Sequence, residues 1–383
     1  MLKRIQDFDV KELLCKRNEI RIKLANMSSV SKYANKDITP NTKYVTYTNI
    51  SSLYKFLDSD LLRLGCSQLS NDYMENHMMS IEKTYDTYIC SFYQGDESAG
   101  DKYSQWLAYC SNGGASLEFY FGQDYINLKA TNSTEDYENN AIKHFDLIDE
   151  SEKNLFDYSL LCGDEKFSFY LYPNFPVYVQ YCDEVNKNNN SIYISVISSI
   201  EKDKGLLAPY FKHSGFEQES EARLAFINKN HRLDQCIKFR ERNDGTKVPY
   251  IEVKFGDNDK NNRPCGIKGD NEQELEESII ELLNNRTYAE ILYKTPIIIP
   301  QGNDQEKIYN IVEKVLNSNS FKEERLKIIC QGHLPITKIT LAPMKDASIQ
   351  KKKLEIFCKS KYWLKNVEIC ESKLPYNTQN NNH

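Results

Sequence analysis

Short segments rich in tyrosine and β-branched residues recur along this chain, and polar stretches of uneven length separate them. Residues 43–50, KYVTYTNI, alternate Tyr, Val and Thr, and residues 85–95, YDTYICSFYQG, read as a second strand of the same kind. Successive side chains of a strand point to opposite faces, so each segment offers one face to a core and the other to a different environment. Between them, NISSLYKFLDSD reads as a helix capped by Asn49 or Ser51, with Leu53, Phe56 and Leu57 on one face, and LLRLGC as a short strand. Strands and helices therefore alternate without the even spacing of βαβ units. The expected class is α+β, with mixed, largely antiparallel strands and flanking helices.

The rest of the chain extends this pattern. SQWLAYCSNGGASLEFYFG gives a helix around Trp106, a hairpin turn at Gly113-Gly114 and a strand through Leu117 and Phe119. Trp106 is expected in the core, with Gln105 capping or facing solvent. Residues 124–165 are acidic and asparagine-rich and read as an insertion with partial helix, and residues 255–273 as a polar insertion. Residues 167–183 are strongly β in composition but interrupted by Pro173 and Pro176. NSIYISVISSIEKDKGLLAPYF then reads as a helix. The final third alternates helix and strand: EQELEESIIELLNN, EILYKTPIIIP, NDQEKIYNIVEKVLNSN, PITKITLAP, KDASIQKKKLEIFCKSK and NVEICESKLPYN. Residues 1–39 form an amphipathic arm and linker, 40–377 one domain, and 378–383 a disordered tail.

Composition narrows the function classes. No apolar run approaches the roughly 20 residues that span a bilayer, and the start mixes acids and bases where a signal peptide keeps an apolar core. A cytoplasmic location without membrane contact is expected. The net charge of −6 argues against a general nucleic-acid coat and leaves only a local basic groove. Eleven cysteines stand singly with no C-x-x-C, and six histidines are dispersed, so no zinc site is expected.

One stretch asks for chemistry. FKHSGFEQESEARLAF, residues 211–226, sets Glu217, Glu219, Glu221 and Arg223 at every second position. On a strand these side chains share a face, where like charges repel and a buried carboxylate needs a partner. Such a face is either a solvated edge paired through Arg223 or the wall of a polar site. His213, just before it, invites a general-base role, though a lone histidine is more often structural. SNGG is no phosphate loop, since no Lys-Ser/Thr follows it.

Several of these segments together resemble a family of bacterial proteins known as DUF2971. The resemblance rests on YVTYT and LSNDYMENH, which supply Tyr47, Thr48, Asn71, Asp72 and Glu75; on ICSFY and SQWLAYCSNGGASLEF; on FKHSGFEQESEAR; and on ITLAPM and ESKLPY. It spans roughly residues 44–377. The chain departs from the family pattern at Tyr73, Tyr93 and Ala222, where proline, serine and tryptophan are usual. Ala222 alternates with Glu221 and Arg223, so that exchange bears on packing rather than on the site.

The family pattern is similar in turn to the ADP-ribosyltransferase-like fold, and the resemblance implies such a core here. It implies NAD as substrate, with Tyr47, Thr48, Ser91 and Arg223 binding the dinucleotide. Glu221, Glu219 and Tyr47 would be the catalytic residues, without a metal. Cleavage at the nicotinamide creates an oxocarbenium-like centre that a nearby carboxylate stabilises. The acceptor would be a protein or nucleic acid, and by fold-level analogy the role that of a toxin-like or phage-defence effector. Two other classes stay open: a metal-dependent nuclease using Asp72, Glu75, Glu219 and Glu221, and a non-catalytic sensor or adaptor whose acids are structural pairs.

Overall fold

The computed structural model describes residues 43–67, 86–121, 158–182, 211–255, 269–285, 296–318 and 326–375, apart from short gaps inside these ranges. The expected arm, most of the 124–165 insertion, nearly all of the helix expected over 190–211, Asn71, Asp72, Glu75 and the tail lie outside the described residues.

Strand β1 (Lys43–Asn49) runs into helix α1 (Ile50–Ser59) and strand β2 (Leu62–Cys66). Asn49 caps the helix by accepting the Ser52 N–H at 2.8 Å. Leu53 and Leu57, one turn apart, bury its inner face. Strand β3 (Asp86–Gly95), helix α2 (Tyr103–Tyr109) and strand β4 (Gly114–Phe119) follow. The SNGG turn links α2 to β4, so it is a helix-to-strand turn and not the expected hairpin. Gly113 sits at φ +92°, and a Cβ on Gly114 would lie 2.3 Å from the Thr48 carbonyl oxygen. Only glycine lets the chain pass β1 that closely.

Strands β5 (Tyr158–Cys162) and β6 (Glu165–Phe169) form a hairpin. The end of the stretch read as an insertion is therefore sheet. The short strands β7 (Val177–Tyr178), β8 (Gln180–Cys182) and β9 (Phe211–His213) lead to β10 (Glu221–Asn228). Strands β11 (Lys238–Glu241) and β12 (Lys247–Phe255) then pair antiparallel. The C-terminal third contains α3 (Glu272–Asn284), β13 (Ile297–Ile299), α4 (Gln305–Asn317), β14 (Ile328–Cys330), β15 (Ile336–Leu341), α5 (Ala347–Lys359) and β16 (Glu368–Glu371).

Strand β3 organises the main sheet. Tyr93 lies opposite both Val45 of β1 and Glu221 of β10, which places β1 and β10 on its two edges. Tyr88 lies opposite both Cys66 of β2 and Phe226 of β10, so β2 shares the β1 edge further along. From β1 the sheet continues through β4, β15 and β16, and from β2 through β12, β5 and β6. All pairings in this sheet are antiparallel except β15–β16, and two small parallel pairs, β8–β9 and β13–β14, lie apart from it. The class is α+β with a mixed, mostly antiparallel sheet.

The sheet has two unlike faces. Tyr44, Phe92, Leu117, Phe119, Ala222 and Leu224 project into a large apolar core that also takes Leu53, Leu57, Ile251 and Val253. Each leucine, isoleucine, valine or phenylalanine among them contributes roughly 1.5–3 kcal/mol when fully buried. Ala222 is among them, on the face opposite its charged neighbours. On the other face, Val45 and Tyr47 pack under Ala99, Trp106 and Cys110, brought there by the short 3-10 turn Ala99–Asp101 and by α2. A second core joins α3 and α4 to β13 and β14 through Ile279, Leu283, Val312, Val315 and Ile328.

Between the two cores lies a buried polar chain. His333 stacks on Trp363 at 4.1 Å, with Nδ1 2.7 Å from Asp60 and Nε2 2.9 Å from the Tyr362 hydroxyl. That hydroxyl donates to Gln305 at 2.8 Å, and the Gln305 amide donates in turn to the Ile299 and Gln331 carbonyls. Buried polar groups are thus satisfied in series, which fixes the C-terminal unit against α1. Among the described residues no helix is long and apolar enough to cross a membrane.

Candidate functional site

The period-two reading of Glu217, Glu219 and Glu221 fails at its first half. Ser214–Glu219 wind into 3-10 turns, with the His213 ring nitrogen accepting the Gly215 N–H at 3.0 Å. His213 is therefore a cap, and local hydrogen bonding outcompetes strand pairing there. Ser220 then reverses the chain at φ +44°. Its carbonyl accepts the Gln94 N–H at 2.7 Å and its hydroxyl donates to the Gln94 carbonyl at 2.9 Å. Strand β10 starts only at Glu221, so Glu221 and Arg223 share a strand face while Glu219 arrives from the turn.

The three nevertheless meet. The Glu221 carboxylate accepts Arg223 Nε at 2.7 Å and Nη2 at 2.8 Å, a bidentate fork. Lys212 of β9 donates to Glu221 at 3.2 Å and to Glu219 at 2.7 Å. Glu221, Arg223 and Lys212 are 6%, 2% and 6% exposed. The Glu221 amide donates to the Tyr181 hydroxyl at 2.8 Å, which fixes the start of the strand. Among the described residues Glu219 and Glu221 are matched by Lys212 and Arg223, and such pairing is the condition under which charges tolerate burial.

Burial pushes the Glu221 carboxyl up, but the Arg223 charge and fork, then Lys212 and a hydrogen bond from Ser91, more than offset it. The group is held below the usual carboxylate range. A lowered folded value stabilises the fold above the unfolded value, near 4.5, and that contribution disappears as pH falls through the folded value. Acid denaturation of wild type is therefore expected to steepen below the ordinary carboxylate range. In Arg223→Ala this part of the pH dependence shrinks, as urea midpoints measured across pH would record.

Ser91 is the open member of the group. It lies directly opposite Arg223 across the β3–β10 ladder and is exposed. Tyr47 shares the same sheet face, two residues beyond Val45, which stands opposite Tyr93. Its hydroxyl is already committed: it donates to the Ala99 carbonyl at 2.5 Å and accepts the Lys102 N–H at 3.1 Å. Its ring meets Trp106 edge-on at 4.7 Å, and burial pushes its phenol far up. Tyr47 thus seats the loop that carries α2 and presents no free hydroxyl to a ligand. Tyr47→Phe leaves that carbonyl and amide short of a partner and is expected to cost about 1–3 kcal/mol, measured by urea denaturation. Thr48 alternates onto the opposite face from Tyr47, so the two do not form one binding element.

The residue not singled out in the sequence is Tyr109. It ends α2, is 54% exposed, and its phenol is raised by burial and by the charges of Glu219 and Glu221 nearby. The signal was the spacing W-x-x-Y in SQWLAY, where Trp106 turns inward and Tyr109 stays out. Trp106 is a core ring, as expected, and donates to Asp101 at 2.8 Å, whereas Gln105 is buried and not solvent-facing. Cys90, packed against the apolar core, has its thiol pushed up to about 12 by burial and then by the Glu221 charge, so it is no nucleophile.

Among the described residues no three His, Cys, Asp or Glu side chains are grouped to hold a metal ion. Glu219 and Glu221 are paired with Lys212 and Arg223. Ser91, Glu221 and Arg223 thus stand on one sheet face with Glu219, Lys212 and Tyr109 at its rim. No family model, curated protein or solved structure matches this chain.

Proposed function

We propose that this face binds a nicotinamide dinucleotide and cleaves it at the nicotinamide ribose, releasing or transferring ADP-ribose. The observation that carries the reading is the pairing of an exposed hydroxyl, Ser91, with a buried carboxylate, Glu221, kept ionised by Arg223 and Lys212. An ionised carboxylate, held in place by its cations beside a solvent-open hydroxyl, suits a ribose whose anomeric carbon becomes cationic as the bond breaks. Ser91 would orient the ribose, Glu221 would stabilise the developing charge, and Tyr109 would offer its ring to the nicotinamide. Arg223 holds Glu221 and does not reach for a diphosphate. Tyr47 acts through the α2 loop as a positioning residue. Glu219, the less buried carboxylate, faces the side from which an acceptor would approach.

The reading also draws on the resemblance of the motifs around Tyr47, Ser91 and Glu221 to the DUF2971 pattern and, through it, to ADP-ribosyltransferases. It is tested by incubating the full chain with NAD, with and without cellular protein or nucleic acid as acceptor, and measuring free nicotinamide. Release dependent on the protein is expected. Its absence under every acceptor condition overturns the proposal.

A further inference from the structure

We propose that the outer face of α5 docks onto the outer face of α3 in a second copy of this chain. Helix α5 buries Leu354 and Cys358 and turns Ile349, Lys352, Lys353, Ile356 and Lys359 to solvent. These positions recur at helical spacing and form one stripe. Ile349 is 55% and Ile356 72% exposed, unusual for isoleucine on a helix that already has a buried side. Residues 345–365 hold seven lysines against Asp346 and Glu355, in a chain whose net charge is −6. Among the described residues, Lys352, Lys353 and Lys359 have no ion-pair partner.

Helix α3 is the counterpart. Its 13 residues carry five glutamates and no cation, and it buries Leu275, Ile279 and Leu283. Gln273, Glu277, Ile280 and Glu281 line the opposite, exposed side. Glu276 is taken by Lys314 at 2.8 Å, whereas Glu277 and Glu281 meet no cation among the described residues. Ile280 is flanked on one side by Glu277 and Glu281, and Ile356 by Lys353 and Lys359. Docking one stripe on the other buries isoleucine against isoleucine and sets lysine opposite glutamate. A nucleic acid would meet the lysines but leave Ile356 against phosphate, so a protein surface with its own apolar centre fits better. Two helix faces this short bury less than a permanent interface requires, so the association is weak and salt-sensitive.

Sedimentation of the full chain over a concentration series, at about 0.05 M and 0.5 M salt, tests this. Self-association that grows with concentration at low salt and fades at high salt is expected. Lys352→Glu with Lys353→Glu should weaken it at least tenfold, and Glu277→Lys with Glu281→Lys should do the same. Mixing the two doubly substituted proteins should restore it, because the native α5 of one then meets the native α3 of the other. Melting curves confirm that each variant is folded. A wild type monomeric at every concentration, association indifferent to either pair of substitutions, or a mixture that stays monomeric overturns the proposal. So does a monomeric wild type whose α5 lysines instead bind an oligonucleotide or phosphatidylserine vesicles.

Discussion

Arg223→Ala is expected to cost about 3–5 kcal/mol of stability, the range for breaking a buried ion pair from one side. The side chain is 2% exposed and spends two donors on one carboxylate, so nothing in the solvent can replace it. Lys212 remains, but it reaches Glu221 at 3.2 Å and is shared with Glu219 at 2.7 Å. Arg223→Lys should fall between, because an ammonium cannot reproduce the planar fork. Urea denaturation of the three proteins measures this directly. A loss below about 0.5 kcal/mol for Arg223→Ala, the ordinary effect of a surface substitution, would show that water enters the cluster and screens it.

The largest effect on activity is expected from Glu221→Gln. The amide keeps the shape and one accepting oxygen but removes the charge, and nicotinamide release should drop by about 10²-fold or more. The same change removes the charge that the Arg223 fork and Lys212 bind, so stability falls as well. Turnover is therefore compared at a temperature well below both transitions, with circular dichroism confirming the folded state. A folded Glu221→Gln that releases nicotinamide at the wild-type rate would remove Glu221 from the chemistry.

Much of the architecture was legible because it rests on local periodicity. The strands holding Tyr44, Phe92 and Ile339 are rich in β-branched and aromatic residues, and α1 carries Leu53 and Leu57 one turn apart. The hairpin of β11 and β12 went unread although Asn243-Asp244-Gly245 stands between its strands, with Gly245 at φ +79°. Strand β14 has three residues, too few for a period to show. The site was half legible. Glu221 and Arg223 alternate in the sequence as they do on the strand. Glu219 continues that alternation in the sequence, but the 3-10 turn at Ser214–Glu219 is set by the His213 cap and the Ser220 reversal, which no two-residue period reveals. The occupation of the Tyr47 hydroxyl depends on Ala99 and Lys102, more than fifty residues away. Lys212, on β9 paired with β8, reaches Glu221 across the 3-10 turn, as a pairing of these carboxylates with nearby lysines implies.

The most direct test of the proposed chemistry is nicotinamide release by Ser91→Ala beside wild type, with melting curves taken on the same samples. Ser91 is exposed, so its removal leaves the apolar core untouched, although Glu221 also loses the hydrogen bond that Ser91 gives it in the folded protein. Losing a hydrogen bond to a charged group, about 1.5–3 kcal/mol, predicts a drop of roughly tenfold or more in turnover, read well below the melting temperatures of both proteins. Equal release by the two proteins would contradict the account.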